Sequence, residues 1–103
     1  MPYENDTATR KFHSDPGHGW LEVPLSELID LEIHKEITGF SYFDPKTKTC
    51  FLEEDCDAGT YFESLKSRGV KLIFDEVYSD DDSFVRSLPS YETIRPLFGV
   101  VTG

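Results

Sequence analysis

Short apolar stretches alternate with turn chemistry along the whole chain. Ala8 to His13 reads as a strand. Ser14-Asp15-Pro16-Gly17 follows as a turn, in which Asp caps, Pro presets φ and Gly accepts a positive φ. Gly19-Trp20-Leu21-Glu22-Val23-Pro24 reads as a second strand that closes at Pro24, so the two strands form a hairpin around SDPGHG. Leu25, Leu28, Ile29 and Glu32 recur at helical spacing and predict a short helix over Leu25–Leu31, with Pro24 suited to its first turn. Ile33 to Thr38 is an irregular connection punctuated by Gly39. Phe40–Phe43 and Thr49–Glu53 flank Asp44-Pro45-Lys46-Thr47-Lys48, the clearest hairpin pattern in the chain. A second helix is expected over Ala58–Arg68, capped by Asp55 or Asp57. Tyr61, Phe62 and Leu65 mark its apolar face, Lys66 and Arg68 fall in its last turn, and Gly69 stands just past its end. Val70 to Tyr78 is the longest strand pattern. Ser79 to Ser83 is an acidic loop, and Phe84 to Tyr91 holds a short strand before Pro89.

This order, β-β-α-β-β-α-β, predicts an α+β fold: an antiparallel sheet of four to six strands with two short helices on one face. Residues 1–7 are expected to be a flexible N-terminus and 8–91 a single domain. Residues 92–103 form a tail that either docks or hangs free. Trp20, Leu28, Phe51, Phe62, Leu65, Leu72 and Phe74 are the expected core.

Charge changes the picture next. The 103 residues carry 20 Asp and Glu against 10 Lys and Arg, a formal net charge of −10. The surplus is clustered: Glu53-Glu54-Asp55 with Asp57, Asp75-Glu76, and Asp80-Asp81-Asp82. Such a field repels nucleic acid and anionic membrane and attracts basic surfaces or cations. Aromatics make up 14% of the chain, which argues for a packed core rather than an acidic disordered tail. No apolar run approaches the length of a membrane span, and the N-terminus MPYENDTATRKF has no apolar signal core. Cys50 and Cys56, separated by FLEED, make no CxxC and read as reduced thiols of a cytosolic protein.

Several constellations could carry chemistry. His13 and His18 flank the SDPG turn, and with Glu53 they could form a two-histidine, one-carboxylate metal set, with Glu54 as a further carboxylate. The plainer reading is that Asp15 organises the turn and the histidines are simply hydrogen-bonded. Glu53 and Glu54 at a strand-to-helix junction could act as an acid–base pair or hold Mg²⁺, whereas Asp55 and Asp57 suit a helix N-terminus. Asp80-Asp81-Asp82 lacks the glycine and distal glutamate of a calcium loop. Cys50 lies among strand-like apolar residues and reads as an inert buried thiol. No phosphate-binding glycine loop, dinucleotide fingerprint or serine-protease signature is present.

The runs FHSDPGHGWLEVP, SYFDPKTKTCFLEEDCDAGTYFESLKSRG and VRSLPSY, spanning roughly residues 12–91, resemble small proteins encoded by phages and other mobile elements. The resemblance implies a bacterial or viral cytosolic setting and an accessory gene product, a class in which inhibitors of host defence and imitators of DNA are common. It carries over no catalytic residue. Three functions follow. The first is a non-enzymatic interaction protein, whose Glu53, Glu54, Asp75, Glu76, Asp80, Asp81 and Asp82 meet a basic protein surface. It requires no cofactor, direct nucleic-acid contact or membrane, and it requires those clusters to fall on one face. The second is a small metal-dependent enzyme or metal-assisted ligand binder in which His13, Asp15, His18, Glu53 and Glu54 converge in a cleft walled by Trp20 and Tyr42. The third is a sponge for a small nucleotide, stacking on Trp20, Tyr42 or Tyr91 with Arg86 on phosphate. Self-association into a homodimer is compatible with each.

Overall fold

The computed structural model describes residues 6–100. The sequence expectations for residues 1–5 and 101–103 lie outside the described residues. Strands β1 (Thr7–Ser14), β2 (Gly19–Pro24), β3 (Tyr42–Asp44), β4 (Thr49–Glu53) and β5 (Lys71–Tyr78) form one sheet in the order β3-β4-β2-β1-β5. Helix α1 (Leu25–Asp30) follows β2, α2 (Asp57–Ser67) joins β4 to β5, and α3 (Arg95–Val100) ends the described chain. The fold is α+β.

The sheet is antiparallel except at one edge, where β5 runs parallel to β1 from Thr7↔Lys71 to Ser14↔Tyr78. The cause is α2. A helix that carries the chain back along the sheet returns the next strand in the direction of the last one, so β5 runs with β4 and therefore with β1.

Side chains alternate between two faces. On the helix side, Leu21 and Val23 of β2 and Cys50 and Leu52 of β4 pack with Leu28, Ile37, Tyr61 and Leu65 in one buried core. On the other side, Trp20 and Phe51 form a smaller cluster with Val85 of the segment after β5.

Helix α1 buries a different stripe from the expected one. Glu27, Leu28 and then Leu31 turn inward, while Ile29 is 43% exposed and Glu32 leaves the helix at φ 60°. Glu27 is drawn in by Arg10 of β1, whose Nε and Nη2 donate to Oε1 at 3.1 and 2.6 Å, and by the Tyr61 hydroxyl, which donates to Oε2 at 2.7 Å. Helix α2 buries Tyr61 and Leu65 but leaves Phe62 43% exposed. Neither Asp55 nor Asp57 caps it. Asp57 is buried instead, and its carboxylate accepts from the Thr38 amide and hydroxyl and from the Ser41 hydroxyl, fixing the irregular connection before β3. Helix α2 ends as its sequence predicts. Gly69 has φ +74°, with Gly69 N–H on Lys66 O and Val70 N–H on Leu65 O.

The two sheet edges differ. Phe43 N–H donates to Pro89 O, Tyr91 N–H donates to Ser41 O, and Tyr42 bridges Ser90, so residues 89–91 cover β3. The expected strand within Phe84–Tyr91 is otherwise a 3-10 turn over Phe84–Ser87. α2 covers β5 only in part, and a groove between Phe62 of α2 and Phe74 of β5 stays open. Phe74, expected in the core, is exposed, and Leu72 is only half-buried. After a second 3-10 turn (Tyr91–Thr93), Phe98 of α3 packs against His34 and Tyr91, and Arg95 donates to Lys35 O. No described helix is long and apolar enough to cross a membrane.

Candidate functional site

The site grows from the turn between β1 and β2. Asp15 is buried, and its Oδ1 accepts the backbone N–H groups of Gly17 and His18 at 3.0 Å each. Its Oδ2 accepts Ser83 N–H at 2.9 Å, which ties in the loop after β5 from across the sheet end. Arg86 closes the arrangement as a fork, with Nε on Oδ2 at 2.6 Å and Nη2 on Oδ1 at 2.9 Å. The Arg86 guanidinium and these amides hold the Asp15 carboxyl far below the usual carboxylate range. Arg86 also lies over the Trp20 ring, 5.2 Å from its centroid. Gly17 does not use a positive φ. Its lack of a side chain matters because a Cβ there would stand 2.7 Å from Arg86 Nη2. At Gly19 a Cβ would stand 2.4 Å from Phe12 Cζ.

Beside this hub opens a cleft of about 450 Å³, lined by His18, Trp20, Phe40, Tyr42, Glu53, Asp55, Cys56 and Arg86. β2 and β4 bring its two sides together, since Trp20 pairs with Glu53 in register. Trp20 and Tyr42 meet edge-on at 6.1 Å, and Phe40 stands 73% exposed at the rim. Glu53 Oε1 accepts Asp55 N–H at 2.8 Å and the Cys56 thiol at 3.5 Å. Burial and the neighbouring carboxylates of Asp57 and Glu53 push the Cys56 thiol up, and burial pushes Cys50 up to about 12, so neither is primed as a thiolate.

The sequence named His13, His18 and Glu53 as a metal set. The structure gathers His18, Glu53, Glu54 and Asp55, with one ligand atom from each lying within 4.8 Å of the others, and His13 is not among them. His13 faces Phe51 and Phe84, and its Nε2 is 2.7 Å from Glu22 Oε1. Tyr91, considered for base stacking, is fully buried in the helix-side core and donates to His34 O. Arg86, considered for phosphate, is already engaged by Asp15.

Two of the three acidic clusters, Glu53-Glu54-Asp55 and Asp80-Asp81-Asp82, share one end of the sheet, whereas Asp75-Glu76 lies within β5 opposite Lys11 and Phe12 of β1. Glu54 N–H donates to Gly19 O, Ser79 N–H donates to Ser14 O, and Ser83 N–H reaches Asp15, so the β1–β2 turn, the β4–α2 turn and the 79–83 loop converge. Asp80, Asp81 and Asp82 border a depression with Pro16, Gly17 and Arg86. Asp75 and Glu76 point to opposite faces of β5, and Glu76 joins Glu54 in a groove lined by Phe12, Phe62 and Phe74. The negative surface therefore wraps the sheet end rather than lying on one flat face. At the opposite end stand Lys46 and Lys48 of the β3–β4 turn, Lys66 and Arg68 at the end of α2, and Lys71 at the start of β5. Sequence reasoning missed the Asp15–Arg86 pair, 71 positions apart, and the Arg10–Glu27–Tyr61 network. The sequence read Asp15 as the organiser of its own turn, which its Oδ1 is, and carried no signal for the partners of Oδ2.

Comparison with protein-family models, with curated proteins and with solved structures finds no match to this chain.

Proposed function

We propose that the protein is a non-enzymatic interaction module that presents its acidic sheet end to a basic surface of another protein. The observation that carries this reading is the meeting of Glu53-Glu54-Asp55 and Asp80-Asp81-Asp82 at one end of the sheet, while Lys46, Lys48, Lys66, Arg68 and Lys71 stand at the other. Such polarity orients an encounter before contact and speeds association with a basic partner. The proposed setting is the cytoplasm of a bacterial host. The protein would be the product of a phage or other mobile element, and it would inhibit a defence or nucleic-acid-binding protein by docking on a basic surface; imitation of DNA is not part of this reading, because the acidic clusters do not share one face.

The test is capture of host proteins at low and high salt, followed by mass spectrometry. A basic partner is expected at low salt and is lost at high salt through slower association. Replacing Asp80, Asp81 and Asp82 with Asn weakens that binding without unfolding the domain. Each exposed ion pair contributes only about 0–1 kcal/mol, so the loss is collective. Failure to recover any basic protein at low salt overturns the reading.

A second reading has its own observation, the grouping of His18 with three carboxylates. Imidazole and carboxylate oxygens together suit a hard or borderline divalent cation, which would make the cleft a metal-assisted binding or catalytic site. Stoichiometric metal in freshly purified protein favours this reading, and its absence removes it.

A further inference from the structure

We propose that the cleft beside Trp20 receives the cationic side chain of an arginine or lysine, with its charged head on Glu53 and Asp55 and its hydrocarbon stem against Tyr42 and Phe40. The identity of the donor rests on the reading above, in which a basic protein is the partner, whereas the argument for the cleft is separate.

Glu53 supplies the first reason. Its side chain is only 13% exposed, and Oε1 is occupied by the Asp55 amide and the Cys56 thiol. No hydrogen bond among the described residues reaches Oε2, and His18 Nδ1 stands 3.9 Å away. A largely buried carboxylate whose second oxygen meets only the His18 imidazole, at 3.9 Å, can accept a hydrogen bond from a cation that enters the cleft. Arg86 does not fill that role, because both edges of its fork are on Asp15.

The walls supply the second reason. Tyr42 and Phe40 offer π faces and carbon, while Trp20 at the cleft is buried, with the Arg86 guanidinium over its ring. Aromatic walls with carboxylates at one side match a long side chain that is apolar along its stem and charged at its tip. The same carboxylates disfavour phosphate and other anions. The cleft volume, about 450 Å³, falls in the range of sites that hold small groups. Phe40 is an exposed aromatic that no core contact explains, and it stands where the stem of such a side chain would pass.

Trp20 is the only tryptophan, so its fluorescence reports the cleft directly. The experiment titrates Nα-acetyl-L-arginine N-methylamide into the full chain, with the lysine analogue and the neutral citrulline analogue alongside. Saturable change is expected with both cations, and the citrulline analogue binds at least about tenfold more weakly. Glu53→Gln keeps an oxygen for the Asp55 amide and weakens the arginine probe by about tenfold, and Phe40→Ala weakens it by about threefold. If Glu53→Gln loses its fold by circular dichroism, Phe40→Ala carries the test. Equal binding of arginine and citrulline analogues, or unchanged affinity in the folded variants, overturns the proposal. Absence of probe binding together with salt-dependent capture of a basic protein removes the cleft and leaves acidic docking intact. Probe binding with no basic protein captured does the reverse.

Discussion

The two faces of the sheet are fastened by different means. On the helix side, Leu21, Val23, Cys50 and Leu52 meet α1 and α2 in a continuous apolar core, and the polar groups Glu27 and Asp57 are satisfied inside it. On the other side no helix is available. Trp20 and Phe51 are covered by a segment whose own apolar contribution is Val85, with Leu88 at its margin. That segment is held through Asp15, which binds the Ser83 amide and the Arg86 guanidinium. The first face is stabilised in proportion to buried area, a term insensitive to charge state. The second depends on one ionised carboxylate. The acidic loop and the aromatic cleft both lie on the second side, so the elements assigned to binding are the ones that can loosen without loss of the fold.

The largest expected effect is on the first face. Leu65 is fully buried in the core, and Leu65→Ala is expected to cost about 2–5 kcal/mol in chemical denaturation. A cost under about 1 kcal/mol would mean that the helix side does not dominate stability.

Asp15→Asn comes next and probes the second face. The amide keeps an acceptor for the turn but loses the charge that holds Arg86 and the Ser83 loop. Trp20 emission is expected to shift toward that of exposed indole at denaturant concentrations where far-ultraviolet dichroism is unchanged. Coincident transitions would show that both faces open together. Acid makes the same point in the native chain. The folded carboxyl titrates below its ordinary value of 3.8, so its contribution is complete above that value and is lost as pH falls below it. Trp20 emission in the native chain is therefore expected to respond to acid below about pH 4, and the component due to Asp15 is absent in the Asn variant.

The strands and both main helices were legible from local pattern, because turn residues and apolar periodicity act over a few positions. The C-terminus of α2 was legible to within one residue, since the helix expected to end at Arg68 ends at Ser67 and Gly69 takes the positive φ just past it. The direction of β5 was missed: the sequence reading expected an antiparallel sheet, and the crossover through α2 makes β5 parallel to β1. The polar fasteners were not legible. Arg10–Glu27 and Asp15–Arg86 join positions far apart in sequence, and a buried carboxylate looks identical to a solvated one until its partner is placed. At the site, the acidic clusters were visible as runs, but the shared location of two of them depends on three turns meeting. The cleft depends on the pairing of Trp20 with Glu53 across β2 and β4.

The smallest expected effect tests where the first face ends. Tyr61, Phe62 and Leu65 share helical spacing, and the sequence put Phe62 and Leu65, but not Tyr61, in the expected core. The structure buries Tyr61 and Leu65 completely and leaves Phe62 43% exposed beside Phe12 and Phe74 in the groove that also holds Glu54 and Glu76. β5 sits at the edge, and no element covers it there. Phe62 therefore covers apolar surface without being enclosed by it. Phe62→Ala removes part of a contact and creates no internal cavity, so its cost is expected to be about 1 kcal/mol or less, well under that of Leu65→Ala. The measurement is a pair of denaturation curves run under identical conditions. A cost near the about 3–5 kcal/mol of an enclosed phenylalanine would mean that the groove is closed in solution and that the core extends across β5.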